Sequence, residues 1–158
     1  MLYAVLKTVH LLSLVAWIGG MFFTLACLRP ALGVLDAPAR PRLMSAVFGR
    51  FFAIVDAAIA LVLLSGLAML WLAWRAAAGG STGFAMPFSW AVMIVLGVAM
   101  MGLFGYVRVL LLKRLRAALQ AHDGRAAAAT LARVRSLVTA NLALGILVIA
   151  VMKLAAAG

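Results

Sequence analysis

The chain has 158 residues, of which 68% are hydrophobic and only 11% charged, where soluble domains run about 45–50% apolar and about 25% charged. Its charge is one-sided: 14 Lys and Arg face 3 Asp and no Glu, for a net +11. This excludes an ordinary water-soluble domain, and a single Cys also excludes a disulfide framework or a thiolate zinc site within one chain.

The first apolar run is Leu11–Leu28, extended toward the N-terminus past His10 and Lys7. Thr24-Leu25-Ala26-Cys27 faintly resembles a lipoprotein cleavage box. Thr24 is wrong for that box, the charged region ahead of the run is thin, and three more runs follow, so a span is expected here. A basic connection comes next, with Arg29, Arg40, Arg42 and Arg50 against Asp36. Asp56 leads the second run, Ala57–Trp74, and the Gly-rich connection after it carries only Arg75. Phe88–Val107 is the third run, closed by Arg108. The third connection is again basic, with Lys113, Arg114, Arg116, Arg125, Arg133 and Arg135 against Asp123. Within it, Lys113–Ala121 continues the helical period, His122-Asp123-Gly124 supplies turn chemistry, and Arg125–Arg135 restarts a helix. The fourth run is Ser136–Met152, followed by Lys153.

Each run approaches the roughly 20 residues that a helix needs to cross the hydrocarbon. The alternating short segments of a closed barrel are absent. The expected fold is all-α, a single domain over residues 1–158. It is an integral membrane antiparallel four-helix bundle with spans at about 3–28, 51–75, 88–112 and 136–157. By the positive-inside rule the first and third connections face the cytoplasm. Both termini then lie outside (N-out/C-out), helices three and four extend into the cytoplasm, and the expected location is a bacterial inner membrane. Topology and anionic lipid headgroups account for the basic segments. Nucleic acid is not expected as a partner, because aromatics for stacking are not interleaved with the arginines beyond Phe48.

Function is sought among the polar residues left inside the membrane. Asp56 and Arg108 fall at similar depth, with Arg50 close by, and an ionised Asp in hydrocarbon needs a partner. A structural ion pair of Asp56 with Arg108, or with Arg50, is expected. Toward the other side, Lys7, His10, Leu14, Trp17 and Met21 form one stripe of the first helix. Met69, Met93 and Met152 fall within a turn or two of the level of His10. Imidazole with thioether suits Cu(I), and it also suits the axial positions of a b-type haem. The second His, His122, belongs to the turn, so bis-His haem would need a second protomer. Methionine is also an ordinary gap-filler in apolar cores, and a cofactor-free structural or assembly subunit fits the same residues. Hydrolase and transferase chemistry lacks its groups: the three Asp lie in separate segments, and Gly79-Gly80-Ser81 is followed by no Lys. Any enzymatic chemistry would belong to a cofactor, as in a haem-dependent membrane oxidoreductase.

Leu6-Lys7-Thr8-Val9-His10-Leu11-Leu12, then Ala16-Trp17-Ile18-Gly19-Gly20-Met21-Phe22-Phe23 and Leu28-Arg29-Pro30-Ala31-Leu32, resemble the opening of the copper-resistance protein D-like (CopD) membrane proteins. The resemblance continues through Phe48-Gly49-Arg50-Phe51-Phe52, Leu64-Ser65-Gly66-Leu67-Ala68-Met69 and the basic Arg133–Asn141 segment. It implies an inner-membrane protein of copper uptake or tolerance, with His10 as ligand and Trp17, Gly19 and Gly20 shaping its helix. A more distant likeness is to the HemJ-type haem membrane proteins. Their first helix ends in Tyr-His where this chain has Cys27-Leu28-Arg29-Pro30-Ala31.

Three readings follow. In the leading one a copper-handling protein binds or passes Cu(I) at His10 with Met69, Met93 and Met152. The alternative is a haem b redox protein, with His10 as axial ligand and Lys7 near a propionate; His10, Lys7 and Trp17 are the cofactor-binding candidates. The third is the structural subunit. Expected partners are the lipid bilayer, a second copy through faces such as Gly97, Gly102 and Gly105, and a periplasmic copper or electron-transfer protein.

Overall fold

The computed structural model describes residues 1–36, 39–78 and 83–156, and the described residues are helical with no strand. Gly79-Gly80-Ser81 lies outside them. Four helical stretches are long and apolar enough to cross a membrane: Leu2–Val34, Ala46–Ala78, Phe88–Gln120 and Gly124–Ala155. A stretch of 33 residues is about 50 Å long at about 1.5 Å per residue. That exceeds the roughly 30 Å of hydrocarbon, so each stretch is long enough to continue beyond it. The chain divides into two compact units, Met1–Met86 and Pro87–Gly158.

In the first unit, α1 (Leu2–Phe23) runs through a π turn at Thr24–Leu28, a short α2 (Arg29–Ala31) and a 3-10 turn at Leu32–Val34. The π turn comes just before Pro30, which has no N–H and whose ring would crowd the carbonyl four residues back. The Thr24 hydroxyl donates to the Gly20 carbonyl at 2.7 Å within the same turn. The helix then resumes at once as the 40-residue α3 (Ala39–Ala78). Asp36 starts it, its carbonyl accepting from the Ala39 and Arg40 amides at 3.0 and 3.3 Å. Arg40 closes the connection: its Nε donates to the Leu35 carbonyl at 2.9 Å and its Nη2 to Gly33 at 3.3 Å. The first basic connection is therefore mostly helix, and one of its arginines is spent on capping carbonyls.

The two long helices pack as an antiparallel pair. α1 buries His10, Ser13, Trp17, Ile18 and Met21. α3 buries Met44, Phe48, Phe52, Val55, Ala58, Val62 and Ser65. Spacings of mostly three and four residues make each set one seam. Large apolar side chains on the opposite faces, such as Leu12, Val15, Phe22, Ile54 and Leu64, stay exposed, as a lipid-facing surface requires. A Cβ built on Gly20 would overlap the Phe51 ring, whereas nothing lies within 4 Å of one on Gly19. Of the Gly19-Gly20 pair, Gly20 is the close-approach position, and what reaches it is an aromatic ring from α3. Phe51 and Phe48 flank Phe52 at centroid distances of 5.9 and 5.6 Å.

In the second unit, α4 (Phe88–Tyr106) also passes through a π turn, Val107–Leu111, into α5 (Leu112–Gln120). After the turn, α6 (Gly124–Ala155) returns. His122 has φ +54°, the left-handed C′ position of a Schellman motif. The Asp123 amide donates to Ala118 at 3.0 Å and the His122 amide to Leu119 at 3.2 Å. Asp123 then caps α6, its Oδ1 accepting from the Ala126 amide at 2.9 Å. Leu115, Ala118 and Ala127 form a small core here, with Ala126 and Leu131 against it. Lys113, Arg114, Arg116, Arg125, Arg133 and Arg135 all point away, exposed. The helix–turn–helix expected between the third and fourth spans is thus present, with the patterning of a water-exposed hairpin.

Candidate functional site

The Leu61–Met69 turn pair of α3 faces α1 at His10. Ser65 is the one hydroxyl residue in the apolar run Ala57–Trp74. In a membrane helix its hydroxyl turns back on the helix, donating to the Leu61 carbonyl, with the Val62 carbonyl 3.3 Å away. Its oxygen also meets the imidazole: His10 Nδ1 and Ser65 Oγ are 3.0 Å apart. The ring lies over Gly66, where a Cβ would stand 3.3 Å from its Cε1 and 3.6 Å from its Nδ1. A side chain there would press on the ring, so the glycine provides its seat. His10 is buried, 9% exposed, and among the described residues its Nε2 makes no hydrogen bond.

Around this contact the first unit arranges three more of the expected residues. Trp17, two turns along α1, is 1% exposed and anchors the same seam. Lys7 precedes His10 by three residues and is exposed. Met69 follows Ser65 by four residues on the same face of α3 and is half-buried. Because α1 and α3 run antiparallel, Lys7 and Met69 both lie one turn from the His10–Ser65 contact, toward the same end of the helix pair.

The remaining candidates belong elsewhere. Met93 on α4 and Met152 on α6 are half-buried in the second unit. Asp56 is an exposed residue of α3 in the first unit, and Arg108 is a half-buried residue of the π turn in the second. Asn141, on α6, is 4% exposed, and its Oδ1 accepts no hydrogen bond among the described residues. Among the described residues nothing lies within 4 Å of a Cβ built on Gly97, Gly102 or Gly105.

No group of three or more His, Cys, Asp or Glu comes together among the described residues. Borderline and hard metal sites draw on such groups. In the first unit one thioether, Met69, lies a turn from the His10–Ser65 contact, and thioethers are ligands of soft ions.

A family model, Copper resistance protein D, matches residues 45–156. The chain belongs to the CopD family. It is a multi-pass membrane protein of that copper-resistance family, with helices fit for a lipid bilayer. The matched stretch contains Ser65, Gly66, Met69, Met93 and Met152, and His10 lies ahead of it. No curated protein and no solved structure matches the chain.

Sequence reasoning singled out His10 but gave Ser65 and Gly66 no role. Their signal was available: one hydroxyl followed by glycine inside an otherwise unbroken apolar run.

Proposed function

We propose that this CopD-family protein handles copper in the bacterial inner membrane, binding or passing Cu(I) at a site built on His10. The supporting observation is the buried imidazole held by one nitrogen on Ser65 and seated on Gly66. A histidine placed inside a membrane span at that cost is a functional group by default. Met69 is the nearest thioether by register. Met93 and Met152, in the second unit, are proposed as further thioether donors to copper. Copper is here the cargo: it is taken by imidazole and thioether, and the chain's own work is to hold these donors in a dry, apolar seam.

The proposed orientation has both termini outside, which puts the His10 end of the first helix pair toward the periplasm. A periplasmic copper donor or acceptor would meet it there. Asp56 and Arg108 are proposed as a structural ion pair, on which a charge swap should preserve folded yield where either single reversal lowers it. The copper reading is tested by Cu(I) competition titration of the detergent-purified protein and its Met69→Ala, Met93→Ala and Met152→Ala variants. Weaker Cu(I) binding in at least one of them is expected. Unchanged binding in all three would remove the thioethers from the site.

A further inference from the structure

We infer that Ser65 is a positioning residue that decides which nitrogen of His10 meets the ligand. It keeps the ring proton on Nδ1 and so presents the Nε2 lone pair. This deepens the copper reading and rests on it for the identity of the ligand, although the proton placement stands on geometry alone.

A neutral imidazole carries one N–H, on either nitrogen, and the tautomer follows from what the other groups offer. The Ser65 hydroxyl has a single hydrogen. That hydrogen is committed to the Leu61 carbonyl one turn back, with the Val62 carbonyl beside it. What Ser65 Oγ can still offer across the 3.0 Å to His10 Nδ1 is a lone pair. With an acceptor and no free donor at Nδ1, the ring hydrogen sits on Nδ1, which donates to Ser65 Oγ.

Nε2 then carries the lone pair, and it has no competing protein donor among the described residues. An imidazolium would instead leave an Nε2–H in the membrane seam without an acceptor, which is costly. A hydrogen bond to the nitrogen that does not ligate is how proteins orient ligand histidines. Ser65 therefore does for His10 what a carboxylate or carbonyl does in other sites, and Gly66 makes the approach possible.

The experiment is nitrogen NMR of metal-free protein in lipid nanodiscs, with 15N-labelled histidine. The chain has two histidines, so His122→Gly leaves a single reporter. Expected is a protonated Nδ1 and a lone-pair Nε2 for His10. Cu(I) should then shift the Nε2 resonance while the Nδ1 proton is retained. Ser65→Ala should move the ring toward the Nε2–H tautomer and weaken Cu(I) binding by about 10–100-fold. Ser65→Thr, which keeps the hydroxyl, should preserve both.

A proton on Nε2 in the metal-free protein would overturn the inference without any variant. An unchanged tautomer in folded Ser65→Ala would do the same. If Ser65→Ala does not fold, the parent and Ser65→Thr spectra decide the proton placement. The expected tautomer in a protein that binds no Cu(I) would refute the copper reading and leave the hydrogen bond as structure only.

Discussion

Replacing Gly66 by Val tests the seating of His10 energetically. A Cβ at position 66 already stands 3.3 Å from Cε1 and 3.6 Å from Nδ1, closer than comfortable carbon contact at about 3.5–4.0 Å. Alanine would require a few tenths of an ångström of ring movement. Its better helix propensity, about 1 kcal/mol over glycine in soluble helices, would largely offset that, so Gly66→Ala is expected to be near neutral. Valine adds two methyls on a stiff χ1 and drives the ring off its 3.0 Å bond to Ser65. Overpacking of this kind costs about 1–3 kcal/mol. The assay is unfolding in mixed micelles with increasing SDS, run as a double-mutant cycle with His10→Ala. With the ring removed, the cost of Gly66→Val should fall to near zero, a coupling of about 1–3 kcal/mol. An equal cost in both backgrounds would show that the ring does not rest on Gly66.

The α5–α6 turn provides two further tests. Asp123→Ala removes the side-chain cap on the Ala126 amide and should lower stability by about 1 kcal/mol, with faster amide exchange in the first turn of α6. His122→Gly removes the left-handed strain at φ +54° and should raise stability by up to about 1 kcal/mol. A drop in stability would mean that the His122 side chain has a role of its own. Orientation is checked by impermeant thiol labelling of a Cys27→Ser background. Arg75→Cys should label in intact spheroplasts and Arg116→Cys only after permeabilisation. The reverse pattern would invert the topology and move His10 to the cytoplasmic side.

Hydropathy and charge made the four membrane-length helices legible, because their apolar runs are long and the charges between them are few. The hairpin after the third span was legible for a different reason: His122-Asp123-Gly124 is turn chemistry, and Leu112, Leu115 and Ala118 keep a helical period through the basic residues. The first basic connection holds more helix than its charge suggests: helix continues to Val34 and restarts at Ala39. Arginine is a good helix former, so charge marks where hydrocarbon ends and says little about where a helix ends. At the site, His10 stood out because it is titratable in an apolar stripe. Ser65 did not, since serine satisfies itself on its own helix and is inexpensive in a membrane. Only the pairing of α1 with α3 shows that its oxygen faces the imidazole. Met69, Met93 and Met152 were chosen by depth, and depth carries no information about which way a thioether points.

Copper content of the His10→Ala variant is the most direct test of the copper reading. Parent protein and variant are purified gently in detergent, loaded with Cu(I) under reducing conditions, and desalted, with the visible spectrum recorded alongside metal analysis. The account predicts stoichiometric copper in the parent, none retained by the folded variant, and no Soret band in either. Copper retained without His10, or a Soret band in the parent that the variant loses, would contradict it.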